Sequence, residues 1–277
     1  MLRLELLRLV RSRRPLLAMF ALLFFLVLML AGFYTYAETE TGGQAEFRYT
    51  FENQSYFNGL TFALYAFYFG FLLVLPIFIA TEGGVQLAGD TKSGVLRLLL
   101  TRPLSRERIF ATKLGLSLGY ALLLCGSFLA LALAVGLVTV GWGDLDLYPG
   151  VLQMTDRHQH LDQAVALRRF LLAWPAASLA LAAPLALSLL VSTFARSAVN
   201  AVAVSVALYL VLYVTSEIHF FRELRPWLFP SSMPFWRELF REQIAWRAMG
   251  IEAGRLLGWT ALFCALACSR FRLREEP

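Results

Sequence analysis

The sequence predicts an all-α integral membrane protein with six transmembrane helices and both termini on the cytoplasmic side. Three observations predict it. The 277 residues are 58% hydrophobic with a mean hydropathy of +0.63, well above the roughly 45–50% apolar content of soluble domains, so a water-solvated fold cannot bury them. Apolar runs recur at about 20 residues, which at about 1.5 Å each cross a hydrocarbon core of about 30 Å. The Lys and Arg residues behind the net charge of +6 gather between those runs. In a membrane protein that clustering reports orientation and headgroup contact, so no nucleic-acid partner is expected.

The whole chain, 1–277, reads as one membrane domain, with spans at about 15–36, 59–80, 114–140, 170–193, 198–216 and 254–270. The first run is too long for a signal-peptide core and lacks a small-residue cleavage site, so it is expected as a retained helix with the mature chain starting near Met1. The block from Phe170 to Ser216 is nearly two bilayers long and is broken only by Ala195-Arg196-Ser197, which predicts two helices joined by a tight turn. The last run, Leu256 to Cys268, reaches spanning length by borrowing from its flanks. Pro175 and Pro184 in span four are expected to kink it, with neighbouring groups satisfying the freed carbonyls.

Orientation follows from the basic residues of the short loops. Arg3, Arg8, Arg11, Arg13 and Arg14 precede span one, and Lys92, Arg97, Arg102, Arg106, Arg108 and Lys113 separate spans two and three. The opposite side carries Arg48, Arg157, Arg168 and Arg169, a comparison of eleven against four. Arg270, Arg272 and Arg274 place the carboxyl terminus on the same side as the amino terminus. The segment Glu217 to Arg255 runs against this scheme, because it is external yet holds six arginines. Within it Phe235, Trp236, Leu239, Phe240, Ile244 and Trp246 recur at helical spacing against Arg237, Glu238, Arg241 and Glu242. That pattern describes either a helix lying in or dipping into the interface or an amphipathic cap on the bundle.

Several chemistries lack their residues. The spans contain almost no ionisable side chain, with Glu82, Arg196 and Glu217 expected at span ends, whereas ion-driven carriers place acids inside the membrane. There is no GxxxxGK[ST] phosphate loop and no HExxH motif, so no catalytic residue is assigned and ATP is not hydrolysed by this chain. Cys125, Cys264 and Cys268 read as small core residues. His158 and His160, beside Asp156 and Asp162, are the candidate metal ligands; alternate histidines in a polar loop are read as solvated and no metal is assigned. Asn53-Gln54-Ser55 matches a glycosylation triplet that is common by chance.

The expected cytoplasmic loop 81–113 reads EGGVQLAGDTKSGVLRLLLTRPLSRERIFATK from Glu82. It holds a short apolar stretch from Val95 to Leu100, a Pro103 breaker and Ser105 as the N-cap of a basic helix. Such an element suits docking in a partner's groove or resting on anionic lipid.

Asp90, Ser93-Gly94-Val95-Leu96, Leu99-Leu100-Thr101 and Arg102-Pro103-Leu104-Ser105-Arg106 through Lys113 together resemble the signature of ABC-2 type permeases. The basic start, Met1 to Arg14, resembles that family's amino-terminal elbow helix on the inner leaflet. Val95 stands where the family often has Thr, and Glu82 is farther than usual from the Gly94 step.

The resemblance implies the transmembrane subunit of an ATP-binding cassette transporter in a bacterial cytoplasmic (inner) membrane. It implies an elbow helix, a cytoplasmic coupling helix and interfacial or re-entrant helices before the last span. It also implies a separately encoded ATPase partner that binds ATP and Mg, a second permease copy or related permease, and contact with membrane lipid; no cofactor resides in this chain. Val95, Leu96, Leu98 and Leu99 are expected to form the apolar face of the coupling helix. Asp90 and Arg97 are expected to contact the ATPase, and Arg102 and Arg106 to orient the segment at the headgroups. The scarcity of polar residues in the spans points to export of an amphipathic or hydrophobic substrate. The rival reading is a membrane anchor that recruits a cytoplasmic complex and transports nothing.

Overall fold

A computed structural model describes residues 14–40, 50–51, 54–55, 58–95, 105–147, 152, 158–195 and 197–273. Among them are six helices long and apolar enough to cross a membrane: Pro15–Thr35, Gly59–Thr91, Arg106–Thr139, Gln163–Phe194, Ala198–Glu217 and Trp246–Leu273. The chain is an all-α integral membrane protein with six spans. Spans two and four are the most buried, at 61% and 78%, while spans one, five and six are each 17% buried and turn most of their apolar surface outward. The first pair therefore forms the centre of the bundle.

Span one is α1 (Arg14–Glu40). Span two begins as α2 (Gly59–Phe69), whose N-cap Asn58 accepts from the Thr61 amide at 2.9 Å. It continues through a π-helical turn, Gly70–Val74, into α3 (Leu75–Lys92). Pro76, which lacks an N–H, stands at this junction. The Leu72 carbonyl, which in a regular α-helix pairs with an amide at 76, accepts a 2.7 Å bond from the buried Tyr209 hydroxyl of span five. Loss of a backbone donor inside the membrane is thus offset from a neighbouring helix.

Span two does not stop near Ala80 as expected. The helix runs on to Lys92, so Glu82 lies buried within it, accepting from Gln86 Nε2 at 2.5 Å, and the first part of the expected loop 81–113 is helical. Gly94, at φ +72°, ends the element in the left-handed region, where a Cβ would be strained. Span three, α4 (Arg106–Thr139), begins at its N-cap Ser105, whose hydroxyl accepts from the Arg108 amide at 3.3 Å as the sequence predicts. At its far end α4 crosses α2 backbone to backbone: a Cβ on Gly59 would stand 2.5 Å from the Gly136 carbonyl oxygen.

A short antiparallel hairpin follows, β3 (Leu145–Leu147) with β4 (Gln159–Leu161), which pairs Asp146 with His160. A second two-stranded pair, β1 (Thr50–Phe51) with β2 (Gln54–Ser55), lies between spans one and two. Span four is α5 (Gln163–Ala180) and α6 (Ala182–Phe194), which meet at Leu181. Pro175 stays inside α5, whereas Pro184 falls in the first turn of α6, where its missing N–H would have no intrahelical partner in a fresh start. Span five, α7 (Ala198–Glu217), follows the expected tight turn and is capped by Ser197, which accepts from the Asn200 amide at 3.2 Å. Arg196 lies outside the described residues.

The segment before the last span is a series of short helices, part of it folded against the bundle. Two 3₁₀ turns, His219–Phe221 and Arg225–Trp227, lead to α8 (Phe229–Ser232) and a 3₁₀ helix, Met233–Phe240. Phe235, Trp236, Leu239 and Phe240 are buried in the bundle instead of facing lipid. The Trp236 ring sits 4.8 Å from Phe67 and 5.5 Å from Phe71, both edge to face. Pro230 and Pro234 remove amide donors and keep these helices short. Trp246, grouped by periodicity with this face, instead opens span six, α9 (Trp246–Leu273).

Candidate coupling site at the ends of α3, α4 and α9

Because α3 continues past Ala80, Asp90 is carried about 15 Å farther along a rigid helix, at about 1.5 Å per residue. There Asp90 (3% exposed) and Lys113 (1% exposed) of α4 form a buried ion pair between Oδ2 and Nζ. A pair this buried is held because each charge compensates the other's desolvation, and either alone would be costly. Next to it lies an apolar cluster separate from the main core: Leu87 of α3, Ile109 and Phe110 of α4, and Ala267 and Phe271 of α9. The Phe110 and Phe271 rings are 6.5 Å apart.

Polar contacts join the same three ends. Arg106 Nη1 donates to the Phe271 carbonyl at 3.1 Å, so a cation meets one of the carbonyls that the helix end leaves without an intrahelical donor. Arg272 Nη2 reaches Glu107 Oε1 at 2.5 Å, but both side chains are more than half exposed and solvent screening leaves such a pair little weight. On the other flank, Ser192 Oγ of α6 accepts from the Leu87 and Ala88 amides at 3.2 and 2.9 Å and donates to the Gly84 carbonyl at 2.7 Å. Gly83 permits this approach, since a Cβ there would strike Ser188 of α6, and Gly84 permits that of α7, where a Cβ would stand 3.1 Å from the Val202 backbone.

Of the residues singled out in sequence, the structure brings Asp90 and Arg106 into this site and places Val95, half-buried, just beyond it. Within the chain, Asp90 pairs with Lys113, and Arg106 donates to the Phe271 carbonyl of the last helix. Leu96, Arg97, Leu98, Leu99 and Arg102 lie outside the described residues, as do Arg3, Arg8, Arg11 and Arg13; Arg14 opens α1. Sequence reasoning missed Phe271, Ala267 and Leu87 as site residues, because partners so far apart in sequence leave no local period.

The hairpin holds the other candidates. His160 Nδ1 lies 2.8 Å from Asp146 Oδ1, with Asp162 and Asp144 oxygens at 3.7 and 3.9 Å from its Nε2, and His158 Nε2 lies 3.6 Å from Asp146. The hydrogen bond to Asp146 raises the His160 pKa above the ordinary histidine value, and the surrounding carboxylates add to it. Among the described residues no group of three or more His, Cys, Asp or Glu side chains has the geometry to hold a metal ion. An apolar groove of ≈ 650 Å³ between α4 and α5, lined by Leu123, Gly126, Leu133, Phe170, Leu171 and Trp174, opens on the bundle surface.

The profile described as "ABC-2 family transporter protein" matches residues 1–222. A search of curated proteins finds no match to this sequence. A match over most of the chain, carried by a six-span bundle, decides the family: the chain belongs to the ABC-2 transporters, as a membrane component of the transport system.

Proposed function

We propose that this chain is the permease subunit that moves an amphipathic substrate outward across a bacterial cytoplasmic membrane, with both termini cytoplasmic and a separately encoded ATPase docked on residues 95–106. A second permease copy completes the pathway. ATP and Mg act on the ATPase alone. The observation that carries the reading is the tying of both arms flanking 96–104 to each other through Asp90 and Lys113, and to α9 through Phe110 and Phe271. Force applied between the arms would reach three spans as one body. In this reading Asp90, Lys113 and Arg106 are positioning residues, while Val95, Leu96, Leu98 and Leu99 supply the docking face, with Arg97 and Arg102 beside it. The groove between α4 and α5 falls within the volume range of about 300–1,000 Å³ typical of ligand pockets and suits the apolar part of such a substrate.

The test is co-purification in detergent with the ATPase encoded beside it, comparing wild type with a Leu96→Glu, Leu99→Glu double variant. Retention by wild type and loss by the variant is the expected result. Retention by neither overturns the reading. An ATPase that is held, but whose turnover no substrate alters in vesicles, would make the chain an anchor.

A further inference from the structure

The start of α9 and the turn that packs beside it build a cleft of ≈ 420 Å³ lined by Pro226, Trp227, Arg255, Gly258, Trp259 and Leu262. Its lining is ordered along the helix. Arg255 is the last charged residue before the apolar run that begins at Leu256, so the guanidinium stands at the edge of the spanning stretch and Gly258 and Leu262 continue into it. Trp227 and Trp259 flank the cleft, the former exposed and the latter held 5.3 Å from the Phe263 ring. Indoles at this level are the side chains that favour the headgroup layer.

The surrounding segment points the same way. Ile218, Phe220, Leu224 and Trp227 are exposed, and Arg222 and Arg225 stand among them. Apolar side chains interleaved with arginines, between two spanning helices, match an interface of hydrocarbon and phosphate.

The electrostatics select among lipids. Arg255 Nη1 donates to Glu252 Oε1 at 2.8 Å, and Glu252 Oε2 accepts from the buried Ser232 hydroxyl at 2.5 Å. That chain fixes the guanidinium while leaving further N–H donors, of the five that Arg carries, for a planar pair of phosphate oxygens. Glu252 also cancels the local positive charge, so a purely anionic headgroup gains little there. A headgroup that carries a phosphate and an ammonium fits both members of the ion pair, with the ammonium able to rest over an indole face.

We propose that this cleft binds one zwitterionic phospholipid of the bilayer, its phosphate on Arg255, its ammonium beside Glu252 and Trp227, and the start of an acyl chain over Gly258 and Leu262. The site does not depend on the transport reading above.

The test is native mass spectrometry of the purified full chain titrated with phosphatidylethanolamine or phosphatidylglycerol of identical acyl chains. One phosphatidylethanolamine should bind in preference to phosphatidylglycerol, and Arg255→Ala should weaken it roughly tenfold, as loss of a charge-assisted hydrogen bond does. Gly258→Leu is the second variant: a Cβ at Gly258 has nothing within 4 Å, so the added side chain fills the cleft without disturbing the fold, and it should also abolish the preference. Arg222→Ala, outside the lining, should leave binding unchanged. Equal binding of the two lipids, an unaltered affinity in Gly258→Leu, or displacement by millimolar inorganic phosphate would each overturn the proposal. A change of oligomeric state in Gly258→Leu would overturn it too, and would assign the cleft to a second copy of the chain.

Discussion

Lys113 and Asp90, 23 positions apart in sequence, meet in an ion pair that is almost entirely withdrawn from solvent. Removing one member leaves an uncompensated buried charge, at a cost of about 3–5 kcal/mol, whereas replacing both by apolar residues of similar size is far milder. Asp90→Leu and Lys113→Met singly should therefore lower the melting temperature in detergent sharply, and the double variant should recover most of it. If the double variant melts as low as the worse single one, the pair does not brace the two helices.

The cluster of Leu87, Ile109, Phe110, Ala267 and Phe271 makes a second prediction about coupling. Phe271 is 1% exposed, and truncating a buried Phe costs about 3–5 kcal/mol in a well-packed core. Here the loss falls on one end of α9 only. Phe271→Ala should still insert and hold the proposed ATPase partner, while substrate stimulation of that ATPase in vesicles falls severalfold. Undiminished stimulation would place α9 outside the coupling path.

What was legible in sequence was what a local period or cap encodes. Apolar length located all six spans, and Ser105 and the break at Ala195 to Ser197 were readable because caps and turns act within a few residues. Helix ends were less readable. The extension of span two to Lys92 has a polar composition that resembles a loop, and only burial against Ser192 and Lys113 makes helix the better state for it. The face of Phe235, Trp236, Leu239 and Phe240 was visible, but whether lipid or protein covered it was not, since both reward the same apolar side chains. At the ends of α3, α4 and α9, Asp90 and Arg106 stood out in the sequence, whereas their contacts with Lys113 and the Phe271 carbonyl left no local signal.

His160 supplies a pH prediction. Its pKa is raised chiefly by the hydrogen bond to Asp146, against an opposing effect of burial. A raised folded value means that protonation favours the paired hairpin: the contribution is fully present below the unfolded histidine pKa of about 6.5 and is lost as pH rises through the folded value. His160 is nearly half exposed, so the effect on overall stability is small. An NMR titration of its ring proton should give a midpoint above that of a free histidine, and Asp146→Asn should bring it down. A midpoint unmoved by Asp146→Asn would remove the hydrogen bond as the cause.

Tyr209 and Pro76 make the sharpest structural test, because each explains the other. Pro76 leaves the Leu72 carbonyl without the amide donor that a regular helix would offer, and the Tyr209 hydroxyl donates to that oxygen at 2.7 Å. Hydrogen bonds between spans are worth about 0.6 kcal/mol on average and up to about 1.7. Tyr209→Phe should reach the upper part of that range, because the abandoned acceptor is a backbone carbonyl at a site where water is excluded. Pro76→Ala supplies an amide that, once the π turn of Gly70–Val74 reverts to the α register, bonds the same oxygen, so in that background Tyr209→Phe should cost less than half as much. A double-mutant cycle read from detergent unfolding measures the difference. Equal losses in the two backgrounds would mean that the tyrosine is held by its packing in the bundle and that the Leu72 carbonyl is satisfied in another way.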